Sequence, residues 1–252
     1  MIASPHNEKL KLVRKLRERK HREREGLFAT EGEDLVEAGL AAGAEPRFVL
    51  VAAGSGLLAD RAVPAEEVEP GLLADVSTLG SGTRAIAVWP QAWAAAAQPP
   101  CVYLHGVGDP GNVGAIVRTA HALLGGTVVL GPGCADPYGP KAVRASMGSV
   151  FGQPLARAAI EATPEPRAAL VAHGGEGPGE LGAAATVCLG AEREGLAAEA
   201  LERCELRVTI PLRPGAAESL NVAAAAAIAC ERVAGAGERL SSPAMREGGS
   251  DA

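Results

Sequence analysis

Three stretches of the chain carry side chains whose types and spacing could do chemistry. The first is Asp109-Pro110-Gly111-Asn112-Val113-Gly114-Ala115-Ile116-Val117-Arg118-Thr119-Ala120, and the second is Leu189-Gly190-Ala191-Glu192-Arg193-Glu194-Gly195-Leu196. The third runs from Ile210 to Glu231, with Ser219-Leu220-Asn221 leading into a helix made almost wholly of Ala. A guanidinium keeps its proton below a pH of about 12, so Arg118 would serve a reaction by stabilising an oxygen that becomes anionic, or as a base only if strongly perturbed. Asn112, six residues earlier, reads as the N-cap of the same helix, and the plainer alternative is a capping Asn with a solvated Arg. Ser219 reads as the N-cap of the Ala-rich helix, whose first amides favour a polar or anionic guest. That helix has so little side-chain bulk that other backbone can approach it closely. Gly190, at a strand end, lets backbone come near a ligand. Glu192 either caps the helix that follows or takes part at the site.

Several chemistries are excluded by what these stretches lack. No G-x-G-x-x-G is present, and Gly195 is followed by Leu196 rather than by Lys and Ser/Thr, so neither a dinucleotide fingerprint nor a P-loop is formed. Cys101, Cys134, Cys188, Cys204 and Cys230 are scattered and odd in number, which argues against a disulfide framework and against zinc. No metal is expected.

The elements that must position these residues alternate in type. Apolar runs at Cys101–Leu104, Thr127–Leu130, Ala168–Ala172, Ala185–Leu189 and Leu206–Ile210 read as strands buried on both faces, and helical patterns fall between them. Such alternation predicts a parallel sheet covered on both sides. Ligands of such sheets sit beyond the carboxyl ends of the strands, where all three stretches fall. Before this domain, residues 7–25 read as one basic amphipathic helix with Leu10, Val13 and Leu16 as its apolar stripe. A strand at Phe28–Thr30, a helix at Gly32–Leu40, strands at Arg47–Ala53 and Ala85–Trp89, and a helix over 65–76 complete a smaller α/β unit. The boundary falls at Pro90 to Pro100, where prolines flank a short Ala run and predict a linker. The polar, Gly/Ser-rich residues 237–252 predict a disordered tail.

The chain has 252 residues, 47% hydrophobic and 21% charged, the profile of a soluble globular protein with room for two domains. The net charge of −6 is unevenly spread: Glu8 to Glu25 holds nine Lys/Arg against four Glu, a net of +5, which leaves −11 for the rest. A basic face on an acidic body suits RNA and suits a solvated helix equally. Aromatic residues are only 3%, so RNA binding would lean on phosphate contacts and shape rather than on an aromatic platform. With no run of 18 apolar residues and no early apolar segment, no membrane and a cytoplasmic location are expected.

In their order and spacing the three stretches resemble the three signature motifs of the SpoU (TrmH-like) RNA 2'-O-ribose methyltransferases of the SPOUT superfamily, and the resemblance extends over essentially the whole chain. It implies an α/β fold: a C-terminal SPOUT domain with a parallel sheet and a deep trefoil knot over 101–236, a linker at 93–100, and a smaller L30e-like RNA substrate-binding domain over 1–92. It implies S-adenosyl-L-methionine as cofactor, held by Leu189, Gly190, Ile210, Leu212, Ser219, Leu220 and Asn221. Arg118, Asn112, Glu192, Ser219 and Asn221 match the catalytic set, with Asn221 placed to orient Arg118. Lys9, Arg14, Arg17, Lys20 and Arg144 are the candidates for RNA contact. Lys141 to Ser149 fits an intermediate segment of the family, with Ser146-Met147-Gly148 where Ser-Ala-Gly is usual. A homodimer is implied, and the separate N-terminal domain favours rRNA over tRNA as substrate. The competing reading is an RNA- or ribosome-binding protein that keeps the fold without the chemistry, and the complete motif set speaks against it.

Overall fold

The computed structural model describes residues 1–58, 63–79, 82–215 and 217–241, with side chains to Ala236. The N-terminal unit runs α1 (Glu8–Lys15), α2 (Arg19–Glu25), β1 (Leu27–Glu31), α3 (Glu33–Ala41), β2 (Phe48–Ala52), β3 (Ala65–Val68), α4 (Pro70–Val76) and β4 (Ala85–Pro90). Its strands lie in the order β1-β4-β2-β3, antiparallel except for the parallel pair β2 and β3.

Two expectations for this unit are corrected. The basic helix expected over 7–25 is two helices, because the chain breaks at residues 16–18 and the carbonyls of Leu16 and Arg17 turn to accept from Arg22 Nη1, both at 2.8 Å. Leu10, Val13 and Leu16 are buried as the stripe predicted. Residues 65–68, expected to be helical, form β3, which pairs with β2 from Val49↔Ala65 to Ala52↔Val68. The helix starts only at Pro70, whose missing N–H and fixed φ suit a first helical position.

The C-terminal unit runs β5 (Cys101–Leu104), α5 (Pro110–Leu123), β6 (Val128–Leu130), α6 (Pro140–Ser146), β7 (Leu155–Arg157), β8 (Arg167–Leu170), β9 (Thr186–Leu189), α7 (Ala198–Leu201), β10 (Leu206–Val208) and α8 (Val222–Ser241). Its six strands are parallel in the order β10-β8-β9-β5-β6-β7. The five expected strands are present, β5 with the expected bounds and the other four shorter, and β7 is an additional three-residue strand with no apolar run to mark it. On α8, Val222, Ala226, Ala229, Cys230 and Val233 are buried at three- and four-residue steps. Close approach to this helix is realised at Gly182, where an added Cβ would lie 2.7 Å from that of Ala236. The helix continues to Ser241, five residues beyond the expected end of the domain, and 242–252 lie outside the described residues.

One apolar core runs through both units. Phe28 meets Tyr138 with ring centroids 4.7 Å apart, and Trp89 meets Phe151 edge-on at 4.8 Å. Gly39 faces both Trp89 and Phe151, which an added Cβ would meet at 2.7 to 2.8 Å. Between the sheets, residues 91–100 form no helix but are tied down: Ala94 N donates to Leu155 O at 2.7 Å, and Trp93 packs edge-on to Tyr138 at 5.1 Å. The buried Arg22 binds Asp136 at 2.8 Å through both Nε and Nη2. Five of the seven aromatic residues, Phe28, Trp89, Trp93, Tyr138 and Phe151, are therefore engaged at the junction between the units.

Candidate active site

The carboxyl ends of four neighbouring strands stand level. Leu189 of β9 is in register with Leu104 of β5, Leu104 with Leu130 of β6, and Leu130 with Arg157 of β7. The loops leaving this edge carry all three sequence stretches.

Beyond β9 the chain doubles back at once. Ala191 N donates to Gly195 O at 3.0 Å and Gly195 N to Ala191 O at 2.9 Å, with Gly195 at φ +69°. A Cβ on Gly190 would sit 2.0 Å from the carbonyl carbon of Gly195. The loop's own closure thus needs a glycine at 190, which is a more local requirement than access for a ligand. This loop, the ends of β8 and β10 and the approach to α8 enclose a cavity of about 470 Å³. Leu189, Gly190, Ile210, Leu212, Ser219 and Leu220 all line it, as does Glu192. The seventh residue expected there, Asn221, is not on its wall.

Asn221 instead begins α8. Its Oδ1 accepts from Ala223 N at 2.9 Å and Ala224 N at 3.4 Å, so Asn221 is the cap, and Ser219, expected in that role, is an exposed residue of the cavity wall. Asn221 Nδ2 donates to Asn112 Oδ1 at 3.1 Å and to Glu192 Oε1 at 3.4 Å, and Asn112 Nδ2 donates to the same Glu192 oxygen. One residue from each stretch meets at this point. Glu192 caps no helix: α7 starts after Ala197 with no side-chain cap, and the Glu192 carboxylate is held by the two amides.

The N-cap of α5 is Asp109, not Asn112. Asp109 Oδ1 accepts from Asn112 N at 3.0 Å, and Oδ2 accepts from Lys141 Nζ of α6 at 2.7 Å. The bond to Lys141, followed by the one from Asn112 N, holds the Asp109 carboxyl below its ordinary range. An Asp directly before a Pro at the first helical position is a cap signature that the sequence does carry. Gly114 lets the two helices touch, since a Cβ there would lie 2.3 Å from Ala142 O.

Arg118 stands apart from this cluster. It is exposed, it is not on the cavity wall, and among the described residues it makes no hydrogen bond or ion pair. Six residues of α-helix carry it about 9 Å along the axis from Asn112 and about 120° around it. Asn221 orients Asn112, then, and does not touch Arg118.

Each of the five candidate RNA-contact residues has a partner within the chain. Lys9 pairs with Glu66, Arg14 donates to Pro5 O at 2.9 Å, and Arg17 donates to Ser77 O at 3.1 Å. Lys20 pairs with Glu18 at 2.7 Å, and Arg144 donates to Thr78 Oγ1 at 2.9 Å, joining the two units. Among the described residues no three His, Cys, Asp or Glu gather as a metal site, and no helix is long and apolar enough to cross a membrane.

Comparison with known proteins adds the following. Residues 99–231 match the model of the SpoU rRNA Methylase family, and residues 7–87 match that of the MRM3-like substrate binding domain. The 23S rRNA (guanosine(2553)-2'-O)-methyltransferase RlmP of Bacillus subtilis is 31% identical over 240 residues, 90% of this chain and 96% of its own length. An uncharacterized tRNA/rRNA methyltransferase of Mycobacterium tuberculosis is 40% identical over 140 residues, and the match spans about half of each protein, 50% of this chain and 48% of the relative. Among solved structures, the SpoU methyltransferase AviRb of Streptomyces viridochromogenes in complex with the cofactor AdoMet superposes with a TM-score of 0.79 at 25% identity, covering 94% of this chain and 100% of that one. An AdoMet-bound rRNA methyltransferase of Sinorhizobium meliloti gives a TM-score of 0.79 at 27% identity, covering 96% and 98%.

Proposed function

Because the chain belongs to the SpoU rRNA methylase family, we propose that it transfers a methyl group from S-adenosylmethionine to a ribose 2'-hydroxyl of RNA, and of rRNA rather than tRNA. The observation that carries this reading is the convergence of Asn112, Glu192 and Asn221 beside a cavity lined by the six apolar or small residues expected to hold the cofactor. At about 470 Å³ and walled by Leu, Ile and glycine backbone, that cavity has the size and the mostly apolar lining of a small-molecule site. S-adenosylmethionine, when bound there, supplies the methyl group.

The chain's own residues have the other tasks. A neutral alcohol is a poor nucleophile, so the site must favour loss of the hydroxyl proton. Arg118 stabilises the ribose oxygen as it becomes anionic. Asn112, Glu192 and Asn221 fix the floor against which the ribose sits, and Ser219 offers its hydroxyl from the cavity wall.

The homodimer belongs to the same reading. Arg118 lies on an exposed face of α5, turned from its own chain's Asn112, with Leu123 41% exposed on the same helix. A second copy packed on that face would receive Arg118 into its site. The deep trefoil knot is part of the proposal as well: β8 lies between β9 and β10, so the chain leaving β9 crosses β8 before α8 returns against α5. So are the division at 93–100, a cytoplasmic location, and RNA contact by Lys9, Arg14, Arg17, Lys20 and Arg144. The test is transfer of labelled methyl from S-adenosylmethionine to 23S rRNA transcribed in vitro, with the product nucleotide identified as 2'-O-methylated. Label on a base, or no label in any rRNA, would end the reading.

A further inference from the structure

A second cavity of about 280 Å³ opens on the same sheet edge, at the ends of β6 and β7, and is walled by Gly131, Pro132, Ala158, Ala159, Arg19 and Arg157 among others. Three strand spacings, about 14 Å, separate Arg157 from Leu189 along the level row of strand ends. Arg19 comes from the N-terminal unit and Arg157 from β7, so the two units build the cleft together.

The wall carries Arg19, Arg157 and Asp136, and both arginines bind one carboxylate that is not part of the wall, that of Glu23. Glu23 accepts from Arg19 Nε at 2.8 Å and lies 3.3 Å from Arg157 Nη1, with all three side chains a third or more exposed. Asp136, by contrast, is buried and its charge is taken up by Arg22 at 2.8 Å, with Arg157 at 3.8 Å. Glu23 therefore occupies the place where two guanidinium groups can grip a single anion. The Arg157 guanidinium carbon also lies over the Trp93 ring, 4.3 Å from its centroid. An arginine guanidinium is a group on which a nucleic-acid base can stack.

We propose that this cleft is a nucleotide subsite for the RNA strand beside the methylated ribose: a phosphate takes the place of the Glu23 carboxylate between Arg19 and Arg157, and the base enters the cavity against the Arg157 plane. The inference rests on the reading of the chain as an RNA methyltransferase. The cavity falls just under the range of drug-sized pockets and suits one nucleotide rather than two. Its distance from the first cavity lies within the few nucleotides that a single-strand site of this kind spans. With five aromatic residues engaged between the units and the other two, Phe48 and Tyr103, buried, an arginine is the stacking group offered at this edge.

The test uses the sign of the effect. Binding of 23S rRNA transcribed in vitro is measured against salt for the intact protein and for Arg19→Gln, Arg157→Gln and Glu23→Gln, each saturated with S-adenosylhomocysteine. Each arginine variant should bind more weakly and lose about one from the slope of log affinity against log salt, and Glu23→Gln should bind more tightly. Arg157→Lys should keep the slope and still lose affinity, because it restores the charge without the plane. Calorimetric binding of S-adenosylhomocysteine, unchanged in all four, identifies variants that fold with an intact cofactor cavity. Unchanged slopes, or a Glu23→Gln variant that binds no better than wild type, would overturn the subsite even if wild-type protein methylates the RNA. Failure of the wild type to bind or methylate any rRNA would instead remove the functional reading beneath it.

Discussion

Asn221 Nδ2 donates to Asn112 Oδ1 at 3.1 Å, joining the cap of α8 to the first turn of α5 across 109 residues of chain. The same side chain caps α8 through its Oδ1, so one residue serves both the fold and the site. The two roles separate by substitution. Asn221→Ala should cost about 1 kcal/mol of stability through the lost cap. Asn221→Ser keeps a capping oxygen and should unfold in urea close to wild type, yet it lacks the amide that reaches Asn112 and Glu192. Its methyl transfer should fall roughly ten- to hundredfold, as when a partner that positions a functional group is removed. A serine variant with the wild-type single-turnover rate would show that the contact has no bearing on the reaction.

Gly190 and Gly195 make a second contrast. Gly190→Ala must open the hairpin, because its Cβ would meet the Gly195 carbonyl carbon at 2.0 Å, and the loop it disturbs is the wall of the larger cavity. Calorimetry should detect no S-adenosylhomocysteine binding up to about 1 mM, a free energy near −4 kcal/mol. Gly195→Ala meets nothing within 4 Å and suffers only the strain of φ +69°, about 1 kcal/mol, so its binding should weaken but persist. Equal affinities for the two variants would remove this loop from the cofactor's wall.

The buried pair of Arg22 and Asp136 anchors one unit to the other. Arg22→Met leaves the buried carboxylate with only Arg157, at 3.8 Å, and should cost about 3 kcal/mol, the lower end for breaking a buried pair. Arg22→Met with Asp136→Asn should recover part of that, since the amide carbonyl can still accept from Tyr138 N without a charge to bury, while the carbonyls of Leu16 and Arg17 still lack their donor. Urea unfolding of both variants decides the matter, and a single-variant loss under about 1 kcal/mol would mean that the junction holds without the pair.

Arg22 also marks where the sequence stops being legible. Within a run of nine cations it looks like any other, and what buries it is a carboxylate 114 residues away, which no local pattern can announce. The split between α1 and α2 involves the same side chain, whose Nη1 donates to the carbonyls of Leu16 and Arg17. In the C-terminal sheet β5, β6 and β9 are legible because they are apolar on both faces, whereas β3, with Glu66 and Glu67 exposed at a sheet edge, shows no such pattern. Ser219 and Asn221 are both capping residue types, and only the path of the chain through Leu220 decides between them. The family resemblance implies Asn112, Glu192 and Asn221 as members of one catalytic set around Arg118, but not their direct contact with one another. Spacing within each stretch carries no information on it.

Arg118→Ala should abolish methyl transfer while leaving the fold and cofactor affinity nearly intact, because Arg118 is exposed and lies off the cavity wall. Losing one such preorganised donor costs about 3 to 4 kcal/mol, or two to three orders of magnitude in rate. Its position on α5 allows a stronger test of how the site is assembled. If Arg118 acts in the site of a second copy, Arg118→Ala and Glu192→Ala are inactive separately but complement each other when mixed. A mixed dimer then has one site built from an intact Arg118 of one copy and an intact Glu192 of the other. Unfolding and refolding the two variants together in equal amounts should recover about a quarter of wild-type single-turnover amplitude, since half the dimers are mixed and each holds one complete site. If Arg118 acts within its own chain, every site in the mixture lacks one of the two residues, and the mixture stays as inactive as its parts.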